Sequence, residues 1–67
     1  MDEPYIKLDQ FLKWCGAVGT GGEAKHIIQA QQVQVNGQIE VRRGRKLRQG
    51  DRVQWGEQSW EVDPSQR

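Results

Sequence analysis

The sequence predicts an α+β fold: two N-terminal helices, a helix-turn-helix-like pair, packed on a small, mainly antiparallel sheet of hairpins. Three observations predict it. Leu8, Phe11, Leu12 and Cys15 fall on an i, i+3, i+4, i+7 stripe; a Thr20-x-x-Glu23 capping box precedes Ala24, Ile27 and Ile28; and from Val33 onward apolar residues alternate around turn signals.

Taken in order, Met1 to Glu3 reads as a frayed end, and Pro4-Tyr5-Ile6 as an extended lead-in along a sheet edge. The first helix starts at Leu8, carries Asp9 in its first turn, and should stop at Gly16 or soon after. Cys15 reads as a small core residue, and Trp14 as cover for the core edge more than as a ring for stacking on RNA. In the second helix the Thr20 hydroxyl accepts from the Glu23 amide while the carboxylate reaches back. Gln29, Gln31 and Gln32 mark its polar end.

Asn36-Gly37 is a strong hairpin signal, because both residues tolerate positive φ. A strict two-residue turn would set Val33 opposite Glu40 and leave Ile39 and Val41 unused. Parity therefore predicts a bulge or three-residue loop over 36–38 that pairs Val35 with Ile39 and Val33 with Val41 on one face. Gly50-Asp51 is a turn. Val53 to Trp55 and Trp60 to Val62 are strands, with Trp55 expected opposite Trp60 and Val53 opposite Val62, so that both indoles join the core. Residues 1–67 make one small domain with frayed ends at 1–4 and 63–67.

Cysteine and histidine each occur once, which excludes an internal disulfide and a zinc cluster. No metal or cofactor is expected. With neither a signal peptide nor an apolar run of membrane-spanning length, the chain reads as soluble, cytoplasmic and free of the membrane. The net charge of +1 conceals an asymmetry: residues 42–52 carry six cations and one anion, whereas the remainder is net negative by four. Arginine's planar fork suits phosphate oxygens, so Arg42, Arg43, Arg45 and Lys46 are the leading candidates for binding nucleic acid, with Arg48 assisting.

Gly19-Thr20-Gly21-Gly22-Glu23-Ala24 fits a dinucleotide fingerprint in letters, but a helix precedes it where a strand is required. A P-loop fails too, because its lysine and hydroxyl slots hold Gly22 and Glu23. Two readings stay open for this segment: phosphate contact at a helix N-terminus beside Lys25, or a tight inter-helix turn. No Ser-His-Asp or Cys-His arrangement is present, and His26 reads as a surface or structural residue, so no enzymatic activity is expected.

Lys7-Leu8-Asp9-Gln10-Phe11-Leu12, Thr20 to Lys25, Val33-Gln34-Val35-Asn36-Gly37 and Arg42-Arg43-Gly44-Arg45-Lys46-Leu47 through Gly50-Asp51 together resemble the S4 RNA-binding domain. The likeness is greatest to its small, free-standing bacterial members of the YbcJ/YaaA type and covers nearly the whole chain. It implies the αL motif, with RNA held across the helix pair and the adjacent hairpin. By position it implies roles for Lys7, opening the first helix, Thr20, opening the second, Lys25 on that helix, and Asn36-Gly37 at the hairpin turn. From the residues themselves, Gly22, which lets a phosphate approach the second helix, and the cation Lys13 are expected to assist. Gln10 and Gly21 stand where cations are frequent in the family, which shifts the binding weight to Arg42–Arg48. The expected function is binding of folded RNA, ribosomal RNA being the leading candidate, by a monomer without catalysis or a small-molecule substrate. The alternative is a protein-interaction adapter whose basic edge docks on an acidic partner.

Overall fold

The computed structural model describes residues 4–64. A short strand β1 (Ile6–Lys7) leads into α1 (Leu8–Trp14), followed by α2 (Gly21–Gln29), β2 (Val33–Val35), β3 (Gln38–Ile39), β4 (Lys46–Leu47), β5 (Arg52–Trp55) and β6 (Gln58–Glu61). The strands form two antiparallel sheets, one of order β1-β4 and one of order β3-β2-β5-β6. The fold is α+β, with the lead-in through Ile6 lying along a strand as the sequence implies.

Both helices end as their sequences dictate. At the close of α1, Gly16 adopts φ +84°; its amide donates to the Lys13 carbonyl at 3.1 Å, and the Ala17 amide to Leu12 at 3.0 Å. These are the paired bonds of a Schellman motif. The same pair closes α2, where Gln31 N–H reaches Ile28 and Gln32 N–H reaches Ile27, both at 3.1 Å. There the left-handed position is taken by Gln31 at φ +63°, without glycine's freedom from Cβ crowding. At the start of α2, Thr20 Oγ1 accepts from the Glu23 amide at 3.1 Å. The Glu23 carboxylate reaches back one residue further than expected, accepting from the Gly19 amide at 3.1 Å.

The helix stripes and the strands share one core. Leu8, Phe11 and Leu12 of α1, Ala24, Ile27 and Ile28 of α2, and Val33, Val35, Leu47, Val53 and Val62 are all buried. Full burial of each large aliphatic or aromatic side chain is worth roughly 1.5–3 kcal/mol. Cys15 is half-buried against this cluster, and burial pushes its thiol pKa up.

The hairpin registers differ from expectation. The Asn36-Gly37 turn holds two residues, at φ +53° and +84°, and pairs Val35 with Gln38 and Gln34 with Ile39. No bulge intervenes, so Ile39 and Val41 are 54% and 50% exposed while Glu40 takes the buried position. A two-residue turn with positive φ at both central positions matches strand twist, and that local fit prevails over the burial of two apolar side chains. The second hairpin also turns over two residues, Gly56-Glu57, setting Val53 opposite Trp60 and Trp55 opposite Gln58. This shift of two residues from the expected pairing leaves every side chain on its intended face. Trp55 and Trp60 are half-buried against the core, and Val53 and Val62 fully buried. Gly50, at φ +90°, makes the expected turn, closed by the Asp51 amide on the Arg48 carbonyl at 3.1 Å. Of the ends expected to fray, residues 1–3 and 65–67 lie outside the described part, whereas Pro64 is buried.

Candidate nucleic-acid interface

The basic segment is fastened to the N-terminus of α1. Ile6 pairs with Leu47 and Lys7 with Lys46, and beyond that short ladder the Leu8 amide donates to the Arg45 carbonyl at 2.8 Å and the Asp9 amide to the Arg43 carbonyl at 3.0 Å. Two amides that a helix N-terminus leaves unpaired are thus satisfied by carbonyls of the cation-rich loop. Lys7 itself caps α1 with extended backbone and no side-chain bond, so its ammonium is not consumed by the cap.

This fastening gathers Lys7, Arg43, Arg45 and Lys46 around one end of α1, and Arg42, Gly44, Arg45 and Lys46 line an open surface depression there. Lys46 Nζ lies 4.9 Å from the centroid of the Tyr5 ring, a cation–π contact that orients the ammonium. Lys7 and Lys46 stand directly opposite across an antiparallel pair, an arrangement that costs stability unless an anion lies between them.

Sequence reasoning missed Glu40. Its carboxylate, 7% exposed, accepts from the Val41 and Arg42 amides at 3.1 and 3.0 Å and from Arg42 Nε at 3.1 Å through Oε2. Through Oε1 it accepts from Arg42 Nη2 at 3.3 Å and Arg45 Nη1 at 2.8 Å. The hydrogen bonds from Arg42 are the main reason its pKa falls from 4.5 to about 2, with Arg45 adding to them against the penalty of burial. A visible signal existed: the two-residue turn points Glu40 inward, and arginines follow two and five residues later.

The remaining predicted residues divide. Asn36 is engaged internally, its Oδ1 accepting from the Arg52 amide at 3.0 Å and its Nδ2 donating to Asp51 at 3.1 Å. The Arg48 amide donates to Asp51 Oδ2 at 2.8 Å. Lys13 lies on α1 and lines a second depression with Ile6, Gln10 and Trp14. Trp14 is 47% exposed and tilted against Phe11, with ring centroids 5.8 Å apart. Thr20, Gly22 and Lys25 belong to α2, and among the described residues their side chains make no bond to the basic segment. Gly22 is not imposed by packing, since an added Cβ would meet Thr20 Oγ1 at an ordinary 3.8 Å.

A sequence profile of the S4 domain matches residues 1–63. The chain belongs to the S4 domain family. This S4 chain is also 43% identical over 54 residues to the probable ribosome maturation protein RlbA of Bacillus subtilis (strain 168), a match covering 81% of this chain and 76% of that protein. Among the described residues of this S4 domain, no helix is long and apolar enough to cross a membrane, and no three His, Cys, Asp or Glu side chains gather as a metal site.

Proposed function

We propose that this S4 domain protein is a non-enzymatic, cytoplasmic RNA-binding monomer that acts in ribosome maturation, holding phosphates of a folded ribosomal RNA or its precursor. The observation that carries this reading is the set of cations fastened around the N-terminus of α1. Arg42 and Arg45 share one carboxylate and leave about one net charge, to which Lys7, Arg43 and Lys46 add theirs. The family and the printed role of the Bacillus subtilis relative support the choice of RNA and of process. Phosphate contacts fix position without reading bases, so the protein recognises the shape of a groove or junction. Lys13, Lys25, Thr20 and Gly22 extend the contact along the helix pair, while Asn36 serves the turn.

The test is fluorescence anisotropy with a ribosomal RNA junction over a salt series. Neutralising about four phosphates gives a log-log slope of about −3 to −3.5. Replacing Arg43 and Lys46 by alanine is expected to make that slope shallower by about 1.5 units and leave the helical circular dichroism unchanged. If the folded double variant keeps full affinity and slope, the segment is a docking edge for an acidic protein and the reading fails.

A further inference from the structure

We propose that Glu40 is a positioning residue for RNA binding: the five hydrogen bonds converging on its buried carboxylate hold residues 41–45 in the shape that presents the cations, so removing this negative charge weakens binding to a polyanion. The inference rests on the RNA-binding reading above and runs against simple charge counting.

Two effects of opposite sign compete. Deleting a carboxylate beside a phosphate site removes a repulsion, but this one is 7% exposed, already matched by two guanidinium groups, and separated from a bound phosphate by them and by screening solvent. Its removal is therefore expected to gain no more than about a factor of two in affinity. The loss is larger. Residues 41–45 form no strand or helix; beyond the turn bond from the Arg45 amide to the Arg42 carbonyl at 3.2 Å, the described residues hold them from two sides, by the Glu40 carboxylate and by the Leu8 and Asp9 amides on the Arg45 and Arg43 carbonyls. With the carboxylate gone, RNA has to order this loop itself on binding, and ordering even a few backbone residues outweighs a twofold electrostatic gain. Arg42 shows why the carboxylate does not consume the site, for its side chain stays 73% exposed while tethered. Its Nε and Nη2 face Glu40, and among the described residues its Nη1 makes no bond.

The experiment compares wild type, Glu40→Gln, and the Arg43→Ala/Lys46→Ala double variant in the anisotropy assay, with amide hydrogen exchange on each free protein. Glu40→Gln is expected to bind RNA at least about fivefold more weakly despite its extra unit of positive charge, and to exchange faster at Leu8 and Asp9 while Phe11 and Leu12 stay protected. Should Glu40→Gln prove too unstable, the same comparison is made in a Gln31→Gly background, where both proteins carry the helix-stabilising change. Affinity equal to or tighter than wild type, with the double variant weakened, overturns the inference and leaves the RNA-binding reading standing. Weaker binding with unchanged exchange at Leu8 and Asp9 also overturns it, since the loop would not have moved. If neither variant alters affinity, the RNA-binding reading itself has failed and takes the inference with it.

Discussion

At the scale of single residues, three positions carry more than their types suggest. Glu40 is ionised against a pKa of about 2, so the stability it contributes is fully present above its ordinary 4.5 and is lost as pH falls from 4.5 towards 2. The expected measurement is a melting temperature that separates wild type from Glu40→Gln most at neutral pH, with the gap narrowing as pH approaches 2. Asn36 ties the first hairpin's tip to the start of β5 through both ends of its amide while occupying φ +53°. Asn36→Ala is expected to cost about 1–2 kcal/mol in denaturant unfolding, from two lost bonds and a left-handed alanine, without changing the RNA salt slope. Gln31 offers the opposite change. Its φ of +63° suits glycine, and Gln31→Gly is expected to stabilise the protein by about 0.5–1 kcal/mol, read as a higher denaturant midpoint at constant m value.

At the scale of elements, what the sequence made legible was whatever is decided locally. The Thr20 cap on the Glu23 amide, the stop at Gly16 and the turn at Gly50 each depend on atoms within a few residues, and each stands where its letters placed it, while the Glu23 carboxylate reaches back one residue further. Hairpin register was not legible, because it sets turn geometry against burial. Counting apolar residues favoured a bulge that would hide Ile39 and Val41, whereas the turn preferred by Asn36-Gly37 exposes them and buries an acid. That acid is tolerable only because Arg42 and Arg45 curl back to it, a contact that strand parity does not encode. The candidate site followed the same division: the cations were visible as a run, but their fastening to α1 through main-chain carbonyls was not. The pair β1-β4 adds a prediction of its own. Lys7→Thr removes a like-charge pairing with Lys46, so the variant is expected to melt slightly higher, by a few tenths of a kcal/mol, while binding RNA more weakly.

At the scale of the whole molecule, the four-stranded sheet and α2 supply much of the core, and the proposed binding surface is borne by the other sheet, β1-β4, with α1 and the loop before β4. Leu47 joins the two. It is fully buried in the common core, pairs with Ile6, and follows Lys46 directly in the chain. Truncating such a side chain leaves a cavity and typically costs about 2–5 kcal/mol, a large fraction of the roughly 5–15 kcal/mol that keeps a domain folded. Leu47→Ala should therefore destabilise, but the loss is not expected to fall evenly. The amides of Leu8 and Asp9 depend on carbonyls only two and four residues before Leu47, whereas the Val33–Trp55 and Val53–Trp60 pairings lie in the other sheet. Hydrogen exchange on Leu47→Ala, under conditions where circular dichroism still reports a folded chain, is expected to show Leu8 and Asp9 opening well before Val53 and Asn36, whose amide donates to the Arg52 carbonyl of β5 at 2.8 Å. RNA affinity should fall in step with that local opening. Uniform acceleration of all four amides would mean that the cation-bearing sheet and the core sheet unfold as one unit, and that the binding surface has no separate stability for a residue such as Glu40 to govern.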